Sequence, residues 1–401
     1  MILAHKIRLV PTQEQEDYFR RACGTSRFTY NWALAAWKAS YEAGDKPSGR
    51  SLKVSFNAIR KDAFPWTYEV HRDCTAAAFD HIQAAFGHFF RRVKAGLAAG
   101  YPTFKKKGRS KDSFSIANDK LQLRPLGVRI PTLGWVKARE TLRFEGKVLG
   151  AVVSRTADQW TIAIQVDVGE RRRLRVGDDV VGVDLGIKAS ATLSTGEVIK
   201  GPKALRLNLR KLRRLSRRHS RKEEGSSNRR KSAMKLSRVH MTIANVRKDH
   251  LHKLSTRLVS ENQAVGIEGL AVANMVRNRK LAKAINDEGW GELRRQLEYK
   301  APMYGTEIVV HDRWFPSSKA CSGCGHVKEA LWLSERTYWC AACGLVLDRD
   351  HNAALNLQPK ELPVGYGDVK PVEMGALAGR KDSETAVDEA GTGAGGLSPS
   401  F

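Results

Sequence analysis

Val180–Ile187 reads VVGVDLGI. A turn-like, charged segment from Gly169 to Asp179 precedes it, and the run itself is of the kind that a mixed α/β sheet buries on both faces. One charge interrupts it. Desolvating the Asp184 carboxylate costs free energy or raises its pKa unless a cation or hydrogen-bond donors compensate. A second run, QAVGIEGL, repeats the pattern with Glu268 at its C-terminal end, where ligand sites of open α/β sheets gather. A third acid, Asp350, lies in LDRDHNAALN at the start of a helix continuing through Ala353, Ala354 and Leu355.

Each acid has an ordinary alternative. Asp184 could be paired with an arginine, Glu268 could end a strand in water, and Asp350 could be an N-cap. Together, in a chain with 69 Lys and Arg against 42 Asp and Glu and a formal charge of +27, they suit a phosphodiester site. There two Mg²⁺ (or Mn²⁺) ions roughly 3.5–4 Å apart activate a water and stabilise the leaving oxygen. Asp348 competes with Asp350 for the third position; a helix N-terminus directs Asp350 inward, whereas Asp348 stays on the preceding strand. No phosphate loop, nucleophile elbow or H-E-x-x-H motif competes.

Between the second and third acids, Cys321, Cys324, Cys340 and Cys343 form two C-x2-C pairs with spacing suited to one structural Zn²⁺. Gly325 and Gly344 follow the second cysteine of each pair, where a knuckle turn favours positive φ. Four thiolates leave no open position, so this ion is structural. Cys23 and Cys74 stand apart and read as buried apolar residues.

Upstream, residues 3–10 alternate as a strand, and Thr12 with Gln15 forms a capping box opening a helix through Arg21. Gly24 closes that helix, and another runs from Arg27 to Ala43. Phe79, Ile82, Phe86, Phe89, Phe90 and Val93 recur at helical spacing as a bundle core. After FKKKGRSK at Phe104–Lys111, short alternating runs indicate an antiparallel sheet or small barrel. From Lys203 to Lys248 there are 17 Lys or Arg and only 2 acids. Stripes at Leu205, Leu209, Leu212 and Leu215, and at Leu236, Val239, Ile243 and Val246, anchor two basic helices as a nucleic-acid rail. No apolar run spans a bilayer and no signal peptide is evident, so no membrane is expected and the cytosol is the expected compartment.

Taken in order, VGVDLGIK, GIEGL, EGWGELRRQLEYKA, PSSKACSGCG and LDRDHNAALN resemble the TnpB family, transposon-encoded RNA-guided DNA endonucleases related to the type V CRISPR effectors. The resemblance spans residues 1–357. It implies a multidomain α+β and α/β protein. A β-barrel of oligonucleotide-binding type comprises 1–10 and 113–178, with a helical recognition insertion at 11–112. A RuvC (RNase H-like) nuclease domain follows at 179–319 and 344–358, with a zinc-ribbon target-binding insertion at 320–343; beyond the resemblance, the Gly-, Pro- and Ser-rich composition of 359–401 reads as a disordered tail. By similarity Asp184, Glu268 and Asp350 are the catalytic, Mg²⁺-binding carboxylates and the four cysteines bind zinc. The implied partners are a guide RNA and double-stranded target DNA; base pairing reads the target, while the protein holds the heteroduplex by its backbone. Lys105, Lys106, Lys107, Arg109, Arg213, Arg214, Arg217 and Arg218 are the candidate phosphate contacts, and Asn118 falls in a region implicated in reading a short target-adjacent motif. Alternatives are a nuclease-inactive repressor, an RNase H-like transposase that joins strands, and a zinc-ribbon RNA-binding protein without catalysis.

Overall fold

Ile2–Val10 (β1) buries His5, Ile7 and Leu9, with Leu3 half-buried on the same face, and exposes the alternate side chains. The structure is a computed structural model that describes residues 1–169, 175–332 and 334–360. The tail expected from 359 therefore lies, beyond Lys360, outside the described residues.

From β1 the chain leaves for three helices, α1 (Gln13–Glu42), α2 (Gly49–Ala63) and α3 (Asp73–Lys94). It returns as β2 (Ser113–Ala117), β3 (Gln122–Arg124), β4 (Gly127–Ile130), β5 (Gly134–Ala138), β6 (Lys147–Thr156) and β7 (Gln159–Asp167). The hydrogen-bonded order is β2-β6-β7-β1-β5-β4-β3, antiparallel throughout, with β2 and β3 at its edges. β1 is central: it follows β7 through Arg8↔Thr161 and then meets β5 at Leu9↔Ala138. Ile7, Phe114, Ile130, Val153, Trp160 and Ile164 form one core with Phe19 of α1.

The Thr12–Gln15 capping box is present. The helix it opens does not close at Gly24, however; α1 continues unbroken to Glu42. A helical glycine costs about 1 kcal/mol relative to alanine. Around it Ala22, Cys23, Thr25 and Ser26 are all buried, so packing outweighs local preference. The sequence reading passed over α2, although Ser48 caps it and Leu52 and Phe56 are buried. Phe79, Ile82 and Phe86 lie in the helical core, whereas Phe90 and Val93 are exposed on the last turns of α3.

The second lobe holds β8 (Asp179–Asp184), β9 (Ala191–Leu193), β10 (Val198–Ile199), α4 (Ala204–Ser220), α5 (Ser227–Glu261) and β11 (Asn262–Glu268). It continues with α6 (Val272–Met275), α7 (Ala282–Glu288), α8 (Trp290–Tyr304) and β12 (Glu307–His311). The hairpin β13 (Thr337–Trp339) and β14 (Val346–Asp348) then leads into α9 (Arg349–Leu357). The sheet order is β10-β9-β8-β11-β12, with β8, β11 and β12 parallel. The two basic helices are α4 and α5, joined by a turn capped by Ser226. Val246 departs from the expected stripe: it is exposed, and Arg247 bonds the Asn286 carbonyl at 2.7 Å. Among the described residues, no helix is long and apolar enough to cross a membrane.

Two glycines decide how α9 meets this sheet. Gly182 of β8 and Gly266 of β11 are paired in register. A Cβ on Gly182 would sit 1.9 Å from the Ala354 carbonyl oxygen, and one on Gly266 would sit 1.8 Å from that of Leu357. Gln358, after the end of α9, bonds Val180 O near the start of β8 at 2.8 Å, while Asp350 of its first turn acts on Asp184 at the end of β8, so α9 runs antiparallel to β8. Its first turn thus lies at the end of the sheet where β8 and β11 finish. Replacing Gly182 by alanine forces the helix off the sheet, and we expect a loss of about 3 kcal/mol in urea unfolding. An unchanged midpoint would contradict the close approach.

Candidate functional site

The parallel register that pairs Ile267 with Val183 carries Glu268 to the same level as Asp184. α9 brings Asp350 to them from above, in its first turn. Asp184 feels all of this: burial first, then the charges of Asp350 and Glu268, push its pKa up to about 7, with Arg349 opposing. Burial likewise raises Glu268. Arg349 offsets the Asp184 charge only in part, and the net upward shift at both carboxylates is one that a bound cation would relieve. Oxygen ligands of this kind suit Mg²⁺ or Mn²⁺. The carboxylates converge without closing on one point, since among the described residues the cysteines are the only group of three or more whose ligand atoms all lie within 4.8 Å of one another.

Asp348 is committed elsewhere. It is the N-cap of α9, accepting from the backbone N–H groups of Asp350 at 2.9 Å and His351 at 3.1 Å. Asp350 is met by Arg349 at 3.4 Å and Arg336 at 4.0 Å. Sequence reasoning missed Arg349, Arg336 and His351, whose Nε2 bonds the Ser194 carbonyl at 3.1 Å. It also missed the role of Gly182 and Gly266. A signal was available there: both glycines stand two residues before an acid, in GVD and GIE.

The four cysteines come together. Cys321 Sγ lies 3.6 Å from Cys343 Sγ, and Cys324 Sγ lies 3.6 Å from Cys340 Sγ. A tetrahedral ion with bonds of about 2.3 Å needs sulfur separations of about 3.8 Å, so the cluster fits one. The two knuckles share a design: Gly325 N–H bonds Cys321 O and Gly344 N–H bonds Cys340 O, each at 2.9 Å, with φ at 77° and 73°. The hairpin they stabilise runs on to Asp348, past the expected boundary at 343.

The basic residues divide. Arg213, Arg214, Arg217 and Arg218 are exposed along α4, and Lys106, Lys107, Arg109 and Asn118 are exposed in loops and turns. Lys105 is instead half-buried, its ammonium 3.8 Å from the centre of the Tyr30 ring. A cleft of about 920 Å³ between β1 and helices α5 and α8 includes Lys6, Arg143, Lys248 and Lys300. Burial and the charges of Lys111 and Lys248 lower the Lys6 pKa, a crowding that an anion would ease.

Residues 163–279 match a family model described as "Probable transposase", residues 290–357 one described as "Cas12f1-like, TNB domain", and residues 1–46 one described as "Helix-turn-helix domain". The last span is here one strand and the whole of one unbroken helix. A protein of Streptomyces pristinaespiralis named "Putative RNA-guided DNA endonuclease" is 37% identical over 97% of this chain and 97% of its own. A protein of Escherichia coli K12 with the same description is 31% identical over 88% of this chain and 91% of its own. The fold resembles that in the cryo-EM structure of a Cas12f1–sgRNA–target DNA complex, with a TM-score of 0.53 at 16% identity, covering 86% of this chain and 83% of that one.

Two predictions follow from the geometry. A carboxyl whose pKa is raised in the fold adds most stability below its unfolded value, and that contribution fades as pH rises to about 7. In ion-free protein, Asp184→Asn should therefore stabilise more at pH 8 than at pH 5, by roughly 2 kcal/mol, as read by chemical denaturation. An equal effect at both pH values would remove the buried charge from the account. Cys340→Ser should lower bound metal and melting temperature together; intact metal content by elemental analysis would exclude the four-sulfur site.

Proposed function

The chain belongs to the TnpB family of transposon-encoded proteins, and on that premise we propose that it is an RNA-guided DNA endonuclease whose cutting site is Asp184, Glu268 and Asp350. The observation that carries the site is the convergence of two strand-end acids and one helix acid, where burial and the charges of the other two carboxylates raise the Asp184 pKa despite the opposing charge of Arg349. Divalent ions bound there would supply an activated water and stabilise the leaving oxygen. Asp184 and Glu268, fixed by parallel strands, would hold ligand oxygens at set positions. Asp350, carried by α9, would close the set. Arg349 and Arg336 beside it would limit repulsion among the carboxylates.

We read the antiparallel sheet as the family's oligonucleotide-binding barrel and α1–α3 as its recognition insertion. The five-stranded sheet is read as the RuvC domain, the four-cysteine module as its zinc-bearing target-binding insertion, and the chain as cytoplasmic. Zinc is the ion suited to four thiolates in a closed shell. The guide RNA would use the lysine- and arginine-bearing cleft and the exposed face of α4. Lys106, Lys107 and Arg109 would contact phosphates, with salt-dependent strength, and Asn118 would read the target-adjacent motif. Lys105 contributes by bracing Tyr30 rather than by reaching solvent.

The test is cleavage of matched duplex DNA by the protein–guide RNA complex. Asp184→Ala should reduce Mg²⁺-dependent cutting at least about a thousandfold while RNA and target binding persist, because a carboxylate that only ligates ions does not hold the heteroduplex. Parental products should carry free 5′-phosphates, whereas joined strands would indicate a transposase. Full-rate cutting by the variant would overturn the assignment.

A further inference from the structure

The metal-centre reading leaves two side chains of α9 without a role. Asn352 is fully buried and Asn356 is 9% exposed, one turn apart on the same side of the helix. Their amides reach the zinc module and not the sheet. Asn352 Nδ2 donates to the Ala320 carbonyl at 2.7 Å, and its Oδ1 accepts the Ser322 N–H at 3.0 Å. Asn356 Nδ2 donates to the carbonyls of Ser317 at 2.8 Å and Ala320 at 2.7 Å. Ala320 and Ser322 are the neighbours of Cys321 on either side, so Asn352 clasps the backbone of the first knuckle around its cysteine.

The placement along α9 separates two grips. The glycine contacts hold Ala354 and Leu357, in the C-terminal half of the helix. In the N-terminal half His351 bonds the Ser194 carbonyl beside the sheet, and Asn352, two residues from Asp350, supplies the grip on the zinc module. We propose that Asn352 is a positioning residue, tying α9 to the first knuckle so that the four-cysteine cluster, when loaded, sets where Asp350 stands and how tightly the carboxylates hold divalent ions. The physical reason is rigidity. Hydrogen bonds made in a dry interior are costly to lose, and a metal ligand is only as precise as the contacts that orient the element bearing it. An ordered knuckle presents Ala320 O and Ser322 N–H at fixed positions; a loosened one lets the first turn of α9 drift. The inference rests on the reading of Asp350 as a metal ligand.

The experiment measures Mn²⁺ binding by electron paramagnetic resonance on the full-length protein–guide RNA complex, with zinc content and melting temperature recorded alongside. For Asn352→Ala we expect retained zinc, retained RNA binding and a Kd for Mn²⁺ weakened about tenfold. Asn352→Ser provides the same measurement if the alanine variant does not fold. Introducing Cys340→Ser should weaken Mn²⁺ binding in the parent but add little in the Asn352→Ala background, since the link is already cut. Mn²⁺ affinity within about twofold of the parent despite a lower melting temperature would make Asn352 a packing residue and overturn the proposal. Asp350→Ala separates the two ideas: if it leaves Mn²⁺ binding intact, the metal-site reading itself fails, whereas loss of binding there with no effect at Asn352 defeats only the link.

Discussion

The second lobe depends on a backbone-to-backbone approach: α9 lies on Gly182 and Gly266 so closely that neither position has room for a Cβ. Side chains at those points would hold the helix at ordinary helix-on-sheet distance. Asp350 would then stand too far from the strand ends to feel Asp184. Because the two glycines are paired in the sheet, β8 and β11 present one smooth strip. Hydrogen bonds from Gln358 to Val180 and between His311 and Leu357 fix where along that strip the helix sits. The parallel register sets Asp184 beside Glu268, and where glycine falls in the two strands sets how closely Asp350 approaches them.

That packing gathers negative charge against its own electrostatic preference. Asp184 carries the cost, with its pKa raised to about 7 by burial and by Asp350 and Glu268. The rest of the chain is built the opposite way, with a formal charge of +27 carried outward on surfaces such as the exposed arginines of α4. A polyanion is attracted to the surface at long range, and cations are attracted to the pit between strand ends at short range. These two fields together describe an enzyme acting on phosphodiesters better than either does alone.

Much of this was legible in the sequence because it is local. A charge interrupting a buried run marks Asp184, spacing marks the cysteines, and Thr12 with Gln15 marks the start of α1. What was not legible depends on tertiary contact. The continuity of α1 through Gly24 comes from burial on both sides of the glycine, which no local preference reveals. Lys105 reads as one of a run of surface lysines, yet the ring of Tyr30 lies beneath it. Asp348 and Asp350 compete in the sequence, where the start of a helix favours Asp350; the cap geometry adds that Asp348 is already occupied by two backbone N–H groups. The paired glycines could have been noticed, since each precedes an acid by two residues, but their pairing needed the sheet register.

A glycine-seated helix that brings Asp350 to Asp184 and Glu268 should make these three carboxylates a divalent-ion site. Anomalous scattering from crystals of the protein–guide RNA complex grown with Mn²⁺ tests it most directly. The expected result is Mn²⁺ peaks roughly 3.5–4 Å apart among these three carboxylates, each within about 2.2 Å of a carboxylate oxygen. Crystals that hold Mn²⁺ elsewhere while leaving these carboxylates without a peak would contradict it.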